Sequence, residues 1–133
     1  PMYFRSNEKN PHTFMYTLPE TAALAAECGP NIGVVLDAWH WHHSGGTTAD
    51  ILAAGKSRIV HIHVSDAKPA PPEEVRDNQR HMPGEGVIDW KKVIGTAHAN
   101  GVKSYFYEQE EPFTRPILQS AKMSADYLSK LEV

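Results

Sequence analysis

Asn31-Ile32-Gly33-Val34-Val35-Leu36-Asp37 is the stretch on which the fold turns. It is a short run, apolar at consecutive rather than alternate positions, and it ends on a carboxylate. That pattern belongs to a strand covered on both faces. Arg58 to Val64 is a second β-rich run, and Val102 to Tyr107 is a third that closes on Glu108. Helical stretches separate them. Thr17-Leu18-Pro19-Glu20 has Thr and Glu at capping-box spacing, with Pro19 in the first turn where its missing N–H does no harm; Gly29-Pro30 stops that helix after Cys28. Thr47 to Gly55 reads as a short helix supported by Asp50, and Asp89 caps a helix running to about Asn100, which Gly101 ends. Thr114 to Leu131 reads as an amphipathic helix with Ile117, Leu118, Ala121, Ala125, Leu128 and Leu131 near one face.

The resulting order is α-β-α-β-α-β-α. Strands alternating with helices predict a parallel sheet joined by right-handed crossovers. Two stretches read as loops: Pro1 to Tyr16, which has no sustained period, and Ser65 to Gly86, where Pro69, Pro71, Pro72 and Pro83 exclude helix through most of the length. There is no internal repeat and no low-complexity tract, so residues 1–133 are expected to form a single domain.

Composition narrows the class of function. The 133 residues are 41% hydrophobic, enough for one core. Lys+Arg number 13 against 16 Asp+Glu, a net charge of −3 without a basic block, which argues against nucleic acid or an anionic membrane surface as the main partner. No apolar run approaches the roughly 20 residues that span a bilayer. One cysteine, Cys28, cannot form an internal disulfide, and a reducing cytoplasm is the expected location. Eight histidines are unusual, and six of them fall between His40 and His81.

Three strands alone would leave a parallel sheet with two exposed edges. A (β/α)₈ barrel takes about 250 residues. The expected fold class is therefore α/β, a partial (β/α)₈ TIM barrel of three parallel strands with outer helices, and the chain reads as a fragment or as one piece of an assembly.

Asp37, His63 and Glu108 stand at or just beyond the C-terminal ends of the three strands. Parallel strands bring such residues to one rim, where barrel active sites lie. Two hard carboxylates and an imidazole suit Mn²⁺, Mg²⁺, Co²⁺ or Zn²⁺. Each residue taken alone reads better as a polar cap on the next loop; the three together favour a metal. His40, three residues past Asp37, is either a substrate contact, a second-metal ligand, or a loop histidine stacked on Trp39 or Trp41. His42 and His43 are expected to be solvated. His61 and His63 share a strand face, His61 lying deeper as a hydrogen-bonded core histidine. Asp66 and Lys68 follow as supporting or substrate-binding groups, and His12 and His98 are surface residues.

Gln79-Arg80-His81-Met82-Pro83-Gly84-Glu85-Gly86 is the other informative stretch. Gly84 and Gly86 permit positive φ or close backbone approach, and Arg80 can hold an anionic or hydroxylated ligand; the plain alternative is a Pro-Gly turn leading to the helix at Asp89. Neither glycine fits a phosphate-binding loop. By strand alternation Glu108 and Glu110 share a face, with Glu110 and Glu111 expected in solvent.

The motifs Leu36-Asp37-Ala38-Trp39-His40-Trp41, His61-Ile62-His63-Val64-Ser65-Asp66, Met82-Pro83-Gly84-Glu85-Gly86-Val87-Ile88-Asp89-Trp90 and Tyr107-Glu108-Gln109-Glu110 resemble the C-terminal part of the xylose isomerase-like barrels. Within these the sequence is most similar to the sugar phosphate isomerase/epimerase group. The resemblance covers nearly the whole chain and places its strands sixth, seventh and eighth in the barrel. It implies one divalent metal, Mn²⁺ first among the candidates, held by Asp37, His63 and Glu108 together with a Glu from the fifth strand. That Glu has no counterpart here, Glu8 being a poor substitute. It further implies a small-molecule sugar substrate, with His40 and Arg80 as substrate-binding residues. Proton transfer through an enediolate would follow, with Glu108 as base and His40 polarising or orienting a substrate oxygen. An oligomer, or association with the missing barrel half, is the expected assembly.

Two further readings stand beside this one. The endonuclease IV branch of the same superfamily cleaves DNA at abasic sites with several metals, and Asp37, His40, His63, His81 and Glu108 find counterparts there. It carries an Asp two residues before the long-loop histidine, where this sequence has Gln79. A non-catalytic binding barrel is the third reading.

Overall fold

The computed structural model describes residues 17–70, 79–111 and 113–132. The expected loop at Pro1 to Tyr16, with Glu8 and His12, lies outside the described residues, as do Pro71 and Pro72. Eight elements follow in order: α1 Leu18–Cys28, β1 Val34–Asp37, α2 Ala38–His43, α3 Thr48–Ala53, β2 Ile59–Val64, α4 Trp90–Ala99, β3 Tyr105–Tyr107 and α5 Ile117–Leu128. The three strands form one parallel sheet in the order β1-β2-β3.

Local chemistry sets the helix starts. The Thr17 backbone N–H donates to the Glu20 carboxylate at 3.1 Å while Thr17 Oγ1 accepts from the Glu20 N–H. These reciprocal bonds satisfy donors that the first turn would otherwise leave open. Asp50 accepts from the Thr47 N–H at 2.6 Å, and Asp89 accepts from the Lys92 N–H at 3.0 Å. Pro116 holds the N-cap of α5, so that helix begins three residues later than the sequence pattern predicts.

Register then divides the sheet into two unlike faces. Leu36 pairs with Ile62, and Val64 with Tyr107; Leu36, Ile62 and Val64 are fully buried under the helices. Together with Leu18, Trp39, Ile51, Trp90 and Val102 they belong to one hydrophobic core cluster. The opposite face carries Val35, Asp37, His61, His63 and Phe106, with Asp37 beside His63 and His63 beside Phe106. Phe106 is 55% exposed there. One face is a core and the other is an open wall on which polar side chains can meet a ligand.

Two expectations are corrected. The residues after Asp37 form the helix α2, not a loop, because the Asp37 carboxylate accepts the His40 N–H at 3.0 Å and caps a turn that Trp and His would not favour by propensity. The buried face of α5 is not the Ile117-Leu118 stripe, since Leu118 is 85% exposed. Ser120 and Ser124 are buried instead, with Tyr127, Leu128 and Leu131 partly buried beside them. Ser124 can occupy that face because its Oγ donates to the Ser120 carbonyl at 2.8 Å, within the helix itself; the Ser120 hydroxyl has no such partner among the described residues.

Candidate metal centre

Asp37, His63 and Glu108 do converge. Each offers a ligand atom, and the three atoms lie within 4.8 Å of one another. His63 Nδ1 is 3.2 Å from Glu108 Oε2 and 3.9 Å from Asp37 Oδ2. Oxygen and nitrogen ligands sit about 2.0–2.6 Å from a divalent ion, so donors with these mutual separations can share one. Among the described residues this is the group of His, Cys, Asp and Glu side chains with that property.

The two carboxylates differ in environment. The Asp37 side chain is 5% exposed and is committed to its cap bond and to Arg80. Burial alone would raise its pKa, but the Arg80 hydrogen bond and charge, with the His40 N–H, hold it below the usual value. The Glu108 side chain is 34% exposed and opens outward. Its backbone is fixed without its side chain: the Glu108 N–H donates to the Val64 carbonyl at 3.3 Å, and the buried Ser65 hydroxyl donates to the Glu108 carbonyl. Sequence gave no hint of the Ser65 contact, which spans 43 residues.

Arg80 is the hub. It is buried, its Nη1 lies 3.1 Å from Asp37 and 3.3 Å from Glu108, and its Nε lies 3.5 Å from Glu110. Its Nη2 meets His40 Nε2 at 3.2 Å, and its guanidinium carbon sits 5.3 Å from the centre of the Trp39 ring. Glu110 is exposed, as expected, and pairs with Arg80 as well. Three carboxylates around one guanidinium leave a formal excess of two negative charges, which suits a divalent cation.

The histidines separate into distinct roles. His40 is buried on α2, edge-on to Trp39 at 5.0 Å, so the stacked arrangement and the site contact coexist. His61 is half-buried rather than enclosed in the core: it stacks on His63 at 5.2 Å and meets Phe106 edge-on at 5.1 Å on the open wall. His98 is exposed, as expected. His42 and His43 are half-buried rather than solvated, His43 lying edge-on to Trp39 at 4.5 Å. A cleft of about 430 Å³ opens beside Arg80, lined by His43, Lys68, His81, Glu85 and Gln109.

Burial pushes the His43 ring down to about 4, assisted by the charges of His42 and His40. An unfolded histidine titrates near 6.5. The folded protein therefore resists a proton that the unfolded chain accepts, and stability should fall as pH drops from about 6.5 toward 4. Urea unfolding of the parent and of His43→Gln across that window checks this. The loss should be shallower in the variant, and equal slopes would remove His43 as a cause.

Comparison with known proteins agrees with this geometry. Residues 7–131 match the family described as xylose isomerase-like TIM barrel. An inosose isomerase of Bacillus licheniformis is 36% identical over 66 residues, which are 50% of this chain and 24% of that protein. An inosose dehydratase of Lactiplantibacillus plantarum is 26% identical over 132 residues, covering 89% of this chain and 44% of that protein. A crystal structure of an IolI protein with a zinc atom superposes with a TM-score of 0.73 at 24% identity, over 84% of this chain and 43% of the other. The chain thus spans less than half the length of these relatives. No helix among the described residues is long and apolar enough to cross a membrane.

Proposed function

The chain belongs to the xylose isomerase-like TIM-barrel family, and on that premise we propose that it is the metal-binding, C-terminal part of a sugar isomerase or epimerase. The observation that carries the reading is the convergence of Asp37, His63 and Glu108 at the strand ends, beside Arg80, His40 and an open cleft. The substrate is a small polyhydroxylated ketone, the chemical type in the relatives' names. Asp37, His63 and Glu108 would hold one divalent ion, Mn²⁺ first; the relative that carries zinc supports an ion at such a site. When bound, the ion supplies Lewis-acid stabilisation of charge on the substrate oxygens.

The chain's own residues divide the remaining work. Glu108 takes the proton from the carbon next to the carbonyl, because its carboxylate is the open one of the pair. Asp37, closed and doubly committed, holds charge and geometry instead. Arg80 and His40, joined at 3.2 Å, orient a substrate oxygen as the enediolate forms. The free sheet edges would be covered by the rest of the barrel, in the same chain or an associated one, and residues 1–133 act as one domain within it. A non-catalytic barrel would bind the same molecules without proton exchange. The abasic-site nuclease would draw His40 and His81 into the ion cluster, whereas His40 Nε2 faces Arg80.

The test is incubation of the full-length protein with an inosose and MnCl₂ in deuterium oxide, followed by NMR. Deuterium entering the carbon beside the carbonyl, with an isomeric product, is expected. A product that has lost the elements of water, a diketone or its enol, would move the reading to a dehydratase, which shares the same first proton transfer. No exchange with any divalent metal would sink both. In the same assay His40→Ala should leave metal content largely intact and lower turnover on the order of 10²-fold. Loss of metal in that variant would instead make His40 a ligand.

A further inference from the structure

Asp66 is fully buried at the end of β2, and it is the acceptor for four donors. Its Oδ1 accepts from the N–H groups of Ala67 at 2.9 Å and Ile88 at 3.1 Å. Its Oδ2 accepts from the Gly84 N–H at 2.8 Å and from Trp90 Nε1 at 2.9 Å. Three of these donors come from residues 84–90, eighteen or more positions along the chain. A carboxylate can use about four lone-pair sites, so this one is saturated and has nothing left for a ligand. Its work is structural in kind, but the segment it holds carries Arg80.

The segment is built around that carboxylate. Asp66 and His81 exchange backbone hydrogen bonds at 2.8 and 3.0 Å, and the Val87 N–H donates to the Ala67 carbonyl at 2.9 Å. A Cβ on Gly86 would overlap the Asp66 carboxylate and the Ala67 carbonyl oxygen. Gly84 sits at φ 88°, where an L side chain is strained, and a Cβ there would also overlap the Tyr127 ring. The Met82-Pro83-Gly84-Glu85 stretch is the expected Pro-Gly turn, closed by the Glu85 N–H on the Met82 carbonyl at 3.0 Å, and Gly84 and Gly86 let that turn close onto Asp66. Arg80 directly precedes the residue that Asp66 clamps. On its other side the Gln79 carbonyl accepts from Trp39 Nε1 at 3.3 Å. Pinned at both ends, Arg80 reaches Asp37, Glu108 and His40 together.

We propose that Asp66 is a positioning residue, the lock that holds the loop from Gln79 to Ile88 so that Arg80 stands at the Asp37-His63-Glu108 rim. The catalytic consequence rests on the function proposed above; the positioning itself does not. Displacement of a group by about 1 Å can cost about 10²-fold in rate. Releasing the lock should therefore act on the reaction through Arg80 while leaving the strand-borne donors in place.

The experiment uses the full-length protein and the variants Asp66→Asn, Gly86→Ala, Arg80→Ala and Asp66→Asn/Arg80→Ala. The first reading is the Arg80 Nε–H resonance in ¹H–¹⁵N spectra at neutral pH, well below the unfolding temperature. It should be present in the parent and lost to solvent exchange in Asp66→Asn and Gly86→Ala. Helical circular dichroism should persist, and Mn²⁺ should still bind, since its donors lie on strands or at their ends, with affinity by calorimetry shifted no further than in Arg80→Ala. Gly86→Ala breaks the lock from the other side, so it decides the matter if Asp66→Asn does not fold. An unchanged Arg80 resonance in a folded variant overturns the proposal, and failure of both variants to fold overturns it in favour of a purely structural Asp66. The second reading is turnover of an inosose. Asp66→Asn and Arg80→Ala should each lose about 10²-fold in kcat/KM, and the double variant should be no worse than the poorer single one. Additive losses would show Asp66 acting independently of Arg80, against the proposal. A parent without turnover defeats the proposed function alone, because the Arg80 resonance still tests the lock.

Discussion

With Mn²⁺ kept at saturation, because the substitution also takes one of two carboxylates from the rim, Glu108→Gln in the full-length protein is expected to lower exchange of the substrate C–H proton with solvent deuterium by about 10³-fold, within the range for loss of a general base. The substitution is nearly isosteric, and the structure indicates why it should not move the site. Glu108 is held through its backbone, by the Val64 carbonyl and the Ser65 hydroxyl, and neither bond involves the carboxylate. The amide oxygen of Gln can still accept from Arg80 Nη1, now 3.3 Å from Glu108 Oε2. What the amide cannot do is take a proton at neutral pH. Substrate binding should therefore survive in weakened form while exchange collapses, and NMR exchange rates beside calorimetric sugar binding separate the two. Full exchange in the variant would move proton abstraction to another residue.

The parts of this architecture that were legible in the sequence are those set by local chemistry. The consecutive apolar residues from Val34 to Leu36 mark a strand, although the expected cover on both faces is found on one only, Val35 lying on the open wall; the caps at Thr17, Asp50 and Asp89 act within three residues of themselves. The strand-end position of Asp37, His63 and Glu108 followed from parallel topology, which fixes a common rim before any contact is known. Other features were not local. Ser120 and Ser124 take the buried side of α5 in place of Ile117 and Leu118, and of the two hydroxyls only that of Ser124 is satisfied within the helix. Asp66 gathered donors from residues 84–90, and Arg80 met carboxylates 28 and 43 positions away. No periodicity encodes such pairings. The glycines of the Pro-Gly motif were the visible trace, since close approach is what they permit, but the group approached was identifiable only in three dimensions.

Asp37 poses the sharpest separation of roles, because it is both a helix cap and a candidate metal ligand. Its Oδ1 accepts the His40 N–H at 3.0 Å and lies 3.1 Å from Arg80 Nη1, while Oδ2 faces His63 Nδ1 at 3.9 Å. Asp37→Asn should leave the cap nearly intact, since Asn caps as well as Asp, whereas Asp37→Ala should cost about 0.5–2 kcal/mol from the cap alone. Both remove one of two carboxylates from the rim, and a divalent ion depends on that charge. Replacing groups that merely support a ligand typically costs 10–100-fold in metal affinity. Loss of a ligand should exceed this, so Mn²⁺ affinity should fall by more than about 100-fold in both variants. Metal content after dialysis, set beside urea unfolding, distinguishes the two functions of the residue. Asn should lose the buried charge pair with Arg80 but keep the cap, and retain little metal; Ala should lose the cap as well and be the less stable of the two. Equal metal content in parent and Asp37→Asn would take Asp37 out of the ion's coordination and leave it as the cap and counter-charge that hold α2 and Arg80 against the rim.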